Sequence, residues 1–463
     1  MEKQLKPLEL AALTIVLLSA SFLPKPAESI GYAVDVQDFS FLKYDVQEVF
    51  VGELRHVIRI TNPTTRRAAG VNLYVPIVRN ETARHYTILY NVKTANEYKL
   101  LVDGSGNIYA CWKNLVIQPS QTFTVELNYH VLSFSLTYTV NSSMIRSYDK
   151  GSELYMKYTQ PEELIESDHE EIVEKAQEIV RGADDPHVKA RLIYNFVVNY
   201  LRYEMQDEEK GALWALGNGV GDCSEYSYLF VALCRAAGIP ARVQAGFAFH
   251  NTGQVLEDGH MWAEYYLENY GWMPVDATWQ LFNTIDNKHF SSIRSIPEVI
   301  PYSNYFINGT DASRLVDGQT IQLTASQPSA FSDYTFAQNI VTAIQRIEQA
   351  ETAISIGRFL GASIIFSSEM REVEKKILNV RIFVQNAIDA WETSAQIAGS
   401  NAFQALENAE KALHDAWMLA FKTFALYMSI LVVLMLILLA FVKRPRKGPS
   451  ERAGTSHIAT NRL

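Results

Sequence analysis

Alternating apolar and polar residues predict strands in the first third of the chain. The clearest segments are 57–60, 71–75, 123–127 and 136–140, and Asn-Pro, Asp-Gly and Pro-Ser breaks separate them. This pattern predicts an all-β domain over residues 30–155. A β-sandwich of immunoglobulin type is its simplest packing.

Helical periodicity begins after this domain. Helices are predicted over about 161–181 and 186–206, the second from an apolar face formed by Val188, Leu192, Phe196 and Tyr200. A third helix is predicted from Cys223 to about Ala237. Asp222 would be its N-cap and Gly238 its left-handed C-cap.

Two strands joined by a turn follow, over 260–267 and 271–278. If Leu267 pairs with Gly271, Trp262 faces Asp276, and His260 is the diagonal neighbour of Asp276 on the same face. Diagonal neighbours lie within about 7–8 Å, so the carboxylate would reach the imidazole. A one-residue slip of the register would place the two side chains on opposite faces.

The C-terminal part is predicted to be helical after a loop-rich linker over 286–334. A helical or coiled-coil stalk is expected over 335–422, with a bend at Gly361 and the apolar residues 362–366. Two apolar seams support it: Ile340, Ile344, Ile347 and Ile354, and Val373, Ile377, Val380, Val384, Ala387 and Trp391. Packing within one chain is the simpler interpretation, and self-association through the stalk stays open.

A run without charge predicts one membrane-spanning helix over 423–442. Its 20 residues match the thickness of a bilayer core, and a buried globular helix of that length would carry some polar residues. The basic residues 443–447 follow at once and mark the cytoplasmic side, so 443–463 would be a cytoplasmic tail. The rest of the chain would then lie outside the cytoplasm.

The N-terminal segment fits the same topology. Lys3 and Lys6 precede an apolar run over 10–23, and small residues near Ala20 and Ala27 could be cut, so residues 1–29 are predicted to be a signal peptide or an uncleaved anchor. Three glycosylation sequons give weak support for an external location; they begin at Asn80, Asn141 and Asn308.

Composition limits the function classes. The chain has 463 residues, 48% of them hydrophobic, which predicts two or three domains. A net charge of −10, with basic residues concentrated in the last stretch, argues against nucleic-acid binding. Three cysteines rule out a disulfide framework, and Cys111 and Cys234 are expected in the core.

Cys223 is the candidate nucleophile. At the start of a helix, free backbone N–H groups and the positive end of the helix dipole favour a thiolate and could bind an oxyanion. A small buried cysteine is the alternative interpretation. A histidine and an aspartate that follow in order, His260 and Asp276, favour the nucleophile. His250 and Asp258 have no ligand spacing, so no metal site is predicted there.

The residues around this trio resemble the transglutaminase-like superfamily of papain-type thiol enzymes. The resemblance covers roughly residues 160–285 and implies a catalytic domain over about 156–285. It implies Cys223 as nucleophile, His260 as general base and acid, and Asp276 as the group that orients the histidine. The matching motifs are Gly-Asp-Cys-Ser-Glu at 221–225, Ala-Gly-Ile-Pro-Ala-Arg-Val at 237–243, Gly-His-Met-Trp-Ala-Glu at 259–264 and Gly-Trp-Met-Pro-Val-Asp-Ala-Thr at 271–278.

The resemblance implies the type of intermediate but not the final reaction. It implies attack on an amide and a thioester intermediate, after which water gives hydrolysis or deamidation and an amine gives transamidation. Peptidase or amide hydrolase activity is favoured over transamidation, because water competes with any amine outside a cell. Trp214 is the nearest upstream candidate for the oxyanion hole, although packing explains it as well. Trp262 and Glu264 are assigned support roles at most.

The sequence therefore predicts an α+β protein. It has a β-sandwich, a papain-like transglutaminase core of helices on an antiparallel sheet, a helical stalk and one C-terminal span. The predicted function is a membrane-tethered, externally facing thiol enzyme acting on protein or peptide amides. The alternative is a non-catalytic binding or assembly protein that uses the same fold as a recognition surface. No cofactor is required, and calcium dependence cannot be inferred because no Ca²⁺ loop pattern is present.

Overall fold

The computed structural model describes residues 41–79, 85–294, 296–327, 334–391 and 393–442. The predicted signal segment 1–29, the basic tail 443–463 and the sequon at Asn80 lie outside the described residues.

The chain is a mixed α/β protein whose larger sheets are antiparallel. Its strands are β1 Tyr44–Thr61, β2 Ala68–Pro76, β3 His85–Thr94, β4 Lys99–Val102, β5 Ile108–Ile117, β6 Thr122–Tyr138, β7 Arg202–Tyr203, β8 Val220–Gly221, β9 Ala241–Ala248, β10 Val255–Leu256, β11 His260–Leu267, β12 Gly271–Asp276, β13 Leu281–Phe282, β14 Thr284–Ile285, β15 His289–Ile293, β16 Phe306–Gly309 and β17 Val316–Ala325. Its α-helices are α1 Glu153–Tyr158, α2 Glu170–Ile179, α3 Pro186–Tyr200, α4 Ala212–Asn218, α5 Cys223–Ala236, α6 Tyr334–Phe359, α7 Ala362–Ile365, α8 Ser367–Ala390 and α9 Ala395–Val442.

The N-terminal strands form two sheets that share one apolar core. One sheet has the order β10-β17-β1-β6-β14, with β3 also paired to β6, and the other has the order β16-β2-β5-β4. Leu54 of β1, Leu73 of β2, Trp112 of β5 and Val125 of β6 are all fully buried in that core. Alternation along the strands thus produces the layered packing that the sequence predicts.

The segment 286–334 is not the loop-rich linker that the sequence predicts. It contains β15, which pairs with β9, and β16 and β17, which pair with β2 and β1 of the sandwich. In the ten residues of β17 only Ile321 and Leu323 are fully buried, so the apolar alternation is too short to mark a strand. The sheet that carries the candidate site consequently extends to Ile293, beyond the predicted boundary at 285.

The candidate site lies where helices pack on a five-stranded sheet of order β13-β12-β11-β9-β15. Helix α5 packs against β11 and β9, and α2, α3 and α4 pack around α5. Helices α2 and α3 are shorter than predicted. Asp185 caps α3 and Pro186 begins it, while Arg202–Tyr203 leaves the helical path to pair with Val220–Gly221.

Residues 334–442 form a bundle in which α6 and α8 both pack along α9. The seam residues of α6 and α8 are buried against alanines of α9: Ala398, Ala402, Ala405, Ala409, Ala412 and Ala416. One end of the bundle contacts the sandwich, where Tyr44 Oη donates to Asp389 Oδ1 at 2.8 Å and Lys43 N donates to Gln385 Oε1 at 2.8 Å. At the other end Gly361, where a bend is predicted, has φ = 85°.

Helix α9 contains 48 residues and continues beyond the bundle. Within the described ranges it is the one helix long and apolar enough to cross a bilayer. Its side chains from Ile430 to Leu439 are exposed, as a lipid-facing segment requires.

Candidate active site

Cys223 is the first residue of α5, and a capping box fixes the start of that helix. Asp222 Oδ1 accepts from Ser224 N at 2.9 Å, and Glu225 Oε2 accepts from Asp222 N at 3.0 Å. Gly221 permits this arrangement, because a Cβ at that position would lie 2.3 Å from Glu225 Cβ. The predicted cap is therefore present, and the half-buried Cys223 thiol lies at the positive end of the helix.

The same two acidic side chains hold the preceding loop against the helix. Asp222 Oδ2 accepts from Gln206 N at 3.1 Å, and Glu225 Oε1 accepts from Lys210 N at 2.9 Å. Glu225 is fully buried, and burial raises its pKa. Residues 206–225 consequently form one connected frame around Cys223.

His260 and Asp276 meet across the β11–β12 hairpin. Leu267 pairs with Gly271, as predicted, and the register continues to Ala263 opposite Val275. His260 Nε2 donates to Asp276 Oδ2 at 2.7 Å. Asp276 Oδ1 accepts from Trp279 N at 2.9 Å, which fixes the orientation of the carboxylate.

The surroundings of His260 favour its charged form. Burial lowers the pKa of His260, but the hydrogen-bonded Asp276 carboxylate and the nearby Cys223 sulfur outweigh burial and raise the pKa to about 9. Because Asp276 takes Nε2, Nδ1 is the nitrogen left for the thiol. The imidazole therefore lies between the thiol and the carboxylate.

A second histidine that the sequence analysis did not identify contacts the same carboxylate. His289 Nε2 donates to Asp276 Oδ2 at 3.2 Å, and His289 Nδ1 donates to Asp286 Oδ1 at 2.9 Å. Burial lowers the pKa of His289, but the two carboxylates raise it to about 9. Burial would raise the pKa of Asp276, yet the two histidines hold it well below its usual range.

Aromatic rings surround the His260 imidazole. Trp279 stacks on His250 with centroids 4.4 Å apart and lies 5.2 Å from the His260 ring. Trp262 is stacked 6.1 Å from His260 and meets His289 edge to face at 5.2 Å. These rings restrict the motion of both histidines and limit the access of water to the Asp276 carboxylate.

The three predicted support residues lie in different surroundings. Trp214 is half-buried on α4 and packs against the core, and it is not among the rings that contact His260. Trp262 is buried beside His260. Glu264 is fully buried, and its Oε2 accepts from Arg242 Nε and Gln244 Nε2, both at 2.7 Å.

His260, Asp276 and His289 also have the donor types of a metal site. Their ligand atoms lie within 4.8 Å of one another, and they are the one such cluster in the part of the chain that the structure describes. However, His260 Nε2 and His289 Nε2 lie 2.7 Å and 3.2 Å from Asp276 Oδ2, which are hydrogen-bond distances. The arrangement fits a hydrogen-bonded relay better than a metal centre.

Sequence reasoning missed His289, Asp286 and Trp279 for different reasons. Trp279 follows the Asp276 motif by three residues, so its proximity was available as a signal. His289 reaches Asp276 because β15 pairs with β9, a pairing that joins residues about 45 positions apart. Asp286 is connected to the site through its hydrogen bond with His289. A strand as short as β15 gives no local pattern that predicts such a pairing.

The chain is similar to known proteins over part of its length. Residues 173–277 match the sequence profile of the Transglutaminase-like superfamily. A protein-glutamine gamma-glutamyltransferase of Pseudomonas aeruginosa is 40% identical over 68 residues, which are 13% of this chain and 10% of that protein. An uncharacterised protein of Haemophilus influenzae is 30% identical over 131 residues, 23% of this chain and 36% of that protein. The chain thus spans about a tenth and about a third of these two relatives.

Two solved structures are similar over larger regions. A proposed cysteine protease from Cytophaga hutchinsonii has 15% identity and a TM-score of 0.49, covering 61% of this chain and 92% of that one. The periplasmic domain of TgpA from Pseudomonas aeruginosa, bound to ethylmercury, has 17% identity and a TM-score of 0.27, covering 50% and 91%. The matched residues 173–277 include Cys223, His260 and Asp276, and this chain carries a domain of the transglutaminase-like superfamily.

Proposed function

We propose that this chain is a membrane-tethered thiol enzyme that acts on protein or peptide amides. The observation that carries the proposal is the hydrogen bond between His260 and Asp276, with Cys223 near enough to the same imidazole to raise its pKa. A nucleophile, a base and an orienting carboxylate in this order can carry out acyl transfer without a cofactor.

In the first step the Cys223 thiolate attacks the amide carbonyl carbon. The tetrahedral oxyanion is stabilised by backbone N–H groups at the start of α5. The C–N bond then breaks, and the His260 imidazolium gives its proton to the leaving amine or ammonia. The acyl group remains on Cys223 as a thioester.

In the second step the thioester is transferred to an acceptor. Neutral His260 takes a proton from water, the hydroxide attacks the thioester carbonyl, and the carboxylic acid leaves as the thiolate and imidazolium return. A primary amine in place of water would give a new amide. We propose hydrolysis as the main reaction because water is abundant at a half-exposed thiol, with glutamine transamidation next, the activity named for the Pseudomonas aeruginosa relative.

His289 would act as a positioning residue for this chemistry. It donates to the same Asp276 oxygen as His260, and Asp286 holds its other nitrogen. We infer that His289 keeps Asp276 ionised and fixed, so that Asp276 can hold the charged His260.

The tether would be the apolar end of α9. We propose that residues 423–442 cross the membrane, that the basic residues 443–447 lie on the cytoplasmic side and that the enzyme body lies outside. The domain boundaries that we propose are 41–155 with 306–325 for the sandwich, 156–293 for the catalytic domain and 334–422 for the helical bundle.

The test is a glutamine-containing peptide incubated with the full-length protein and a primary amine, followed by mass spectrometry. A broken backbone indicates a peptidase, glutamate in place of glutamine indicates a deamidase, and an added amine indicates a transamidase. Cys223→Ala should abolish every product, whereas Cys234→Ala, at a buried cysteine on the same helix, should keep it. A product that survives Cys223→Ala would exclude the thiol mechanism.

A further inference from the structure

The bend between α6 and α8 exposes a large apolar surface. The residues 359–368, called here the hairpin tip, carry no charge. Phe359 is 90% exposed and Ile364 is 87% exposed. Among the described side chains elsewhere in α6 and α8, the exposed large apolar ones are Ile356 and Leu378, at 40% and 45%, so the highest apolar exposure is at the tip.

The hairpin tip lies beside the start of the proposed span. A Cβ at Gly357 would be 3.8 Å from Ala420 Cα, and a Cβ at Gly361 would be 3.1 Å from Tyr427 Oη. Lys422 is the last charged residue before the uncharged run, and Tyr427 lies five residues, or about 7 Å, further along the helix. The tip is therefore level with residues that already follow the last charge.

Helix α9 presents half-exposed aromatic side chains at the same level, a composition typical of the membrane–water boundary. These residues are Trp417, Phe421, Phe424 and Tyr427.

The ion pairs near the tip also indicate that the membrane–water boundary lies at this level. Arg358, which precedes the tip, pairs with Glu374 of α8 at 2.6 Å, so this charge is directed back along the bundle. Lys376 pairs with Asp415 still further from the tip. The charged part of the bundle thus ends where the apolar tip begins.

We propose that the hairpin tip inserts into the outer interface of the lipid bilayer beside the α9 span. Phe359, Ile364 and Ile365 enter the headgroup and upper acyl region. The bundle then contacts the membrane in two places, through the hairpin tip and through the α9 span. Ser367 and Asp389 of α8 are 22 residues, or about 33 Å, apart along the helix. The contact between Asp389 and the sandwich would therefore lie about that far above the membrane surface. This inference rests on the tether in the proposed function and is independent of the chemistry at Cys223.

The test uses the full-length chain in liposomes of phosphatidylcholine and phosphatidylglycerol. A Cys223→Ala background removes the half-exposed thiol, and Cys111 and Cys234 are buried. An environment-sensitive fluorophore is attached to Ile364→Cys. Its quenching is measured with spin-labelled phospholipids, which carry the quencher at a shallow or a deep acyl position, and with aqueous iodide.

Two control positions give the fluorescence expected in water and in the bilayer core. Leu378→Cys lies on an exposed site of α8 about 15 Å from the end of the tip, and Leu434→Cys lies in the middle of the span. We expect the label at Ile364 to be quenched by the shallow lipid quencher at least threefold more than the label at Leu378, and to be protected from iodide. The label at Leu434 should respond most to the deep quencher.

Each other outcome overturns the proposal in a distinct way. If the Ile364 label behaves as the Leu378 label does while Leu434 is in lipid, the tether stands and the tip lies in water. If the Leu434 label also lies in water, the tether itself fails. If Ile364 is protected from iodide and from both lipid quenchers, a protein surface such as a second copy covers the tip.

Discussion

Asp276 Oδ2 accepts two hydrogen bonds, one from His289 Nε2 at 3.2 Å and one from His260 Nε2 at 2.7 Å. His289 donates from both of its nitrogens, so it is an imidazolium when both bonds are made. The cluster then contains two imidazolium ions, His260 and His289, the buried carboxylate of Asp276 and the partly exposed carboxylate of Asp286. Its charges balance, which lets Asp276 stay ionised where burial alone would favour the neutral acid.

Replacing His289 should lower the reactivity of Cys223, although His289 does not contact the thiol. In His289→Ala, Asp276 loses one of its two cationic partners, and its pKa should rise. Its hold on the His260 imidazolium should weaken as a result. We expect the alkylation rate of Cys223 by iodoacetamide at pH 6 to fall about tenfold, and the stability to fall by about 3 kcal/mol. Site-resolved mass spectrometry and thermal unfolding measure the two effects.

His56→Ala is the matched control for that variant. His56 is also fully buried, but it lies in the sandwich beside Gln319, and burial lowers its pKa to about 4. Its replacement should cost stability and leave the alkylation rate of Cys223 unchanged. If both variants slow alkylation equally, the effect of His289 is merely loss of stability, and its positioning role is wrong.

The predictable part of the site depends on short-range signals. Asp222 marks the start of a helix, and a turn after Leu267 sets the register of the hairpin, so Cys223, His260 and Asp276 follow from neighbours a few residues away. His289 depends on a strand that joins the sheet from the far side of a loop. Register and capping can be read from local sequence, whereas pairing of a short strand is decided by tertiary packing.

The glycine before the cap should be required for the geometry of Cys223. In Gly221→Ala the new Cβ would lie 2.3 Å from Glu225 Cβ, so the capping box must shift and carry the start of α5 with it. We expect at least a tenfold loss of turnover, because catalysis is sensitive to displacements of about 1 Å. Peptide turnover and alkylation of Cys223 measure the effect.

Gly217→Ala provides the comparison. Gly217 lies in α4 with no atom within 4 Å of its Cβ position, and alanine is favoured over glycine in a helix by up to about 1 kcal/mol. This variant should be as active as the wild type and slightly more stable. Full activity of Gly221→Ala would show that the capping box does not position the thiol.

Glu264 should matter for stability rather than for chemistry. Its Oε2 lies 2.7 Å from Arg242 and Gln244 on the same buried face, so it anchors β11 to β9. Glu264→Gln removes one charge of a buried pair and should cost about 3 kcal/mol. At temperatures where the variant is folded, the alkylation rate of Cys223 should match that of the wild type. Glu178→Gln, at an exposed pair with Lys175, should change neither quantity.

As with the site, the parts of the fold with a local sequence pattern could be predicted, and the parts that depend on long-range pairing could not. Long alternating segments such as β1 and β6 predicted the sandwich. Strand β17, which pairs with β1, lies almost 180 residues after β6 in the sequence and has little apolar alternation. The helical seams identified the bundle, yet their sequence does not state that α6 and α8 pack on α9 rather than on a second chain. The face of α9 that packs on both helices is built from alanines in alternating steps of four and three, and this seam was overlooked because alanine is only weakly apolar and is common on exposed helix faces as well.

The pH dependence of stability should report the two histidines. Both have a folded-state pKa of about 9 against an unfolded value of about 6.5. Their contribution is therefore complete below about pH 6.5 and is lost as the pH rises through about 9. The contribution of Asp276, whose pKa is lowered, is present above about pH 3.8 and is lost on acidification. Between pH 7 and 10 the melting temperature in detergent should fall, with a total loss of a few kcal/mol, since the three groups share their interactions.

Asp276→Asn should change the sign of the His260 contribution. Without the carboxylate, burial is the main influence on His260, so its pKa falls below 6.5, and the charged form is then disfavoured in the folded state. Stability should be lost as the pH falls below 6.5, and most of the alkaline loss should disappear, leaving the part that His289 retains through Asp286. Turnover should fall by about 10²–10⁴, with its alkaline limb moved from about pH 9 to below 6.5. Parallel melting curves for wild type and variant from pH 5 to 10 would show that Asp276 does not control the charge of His260.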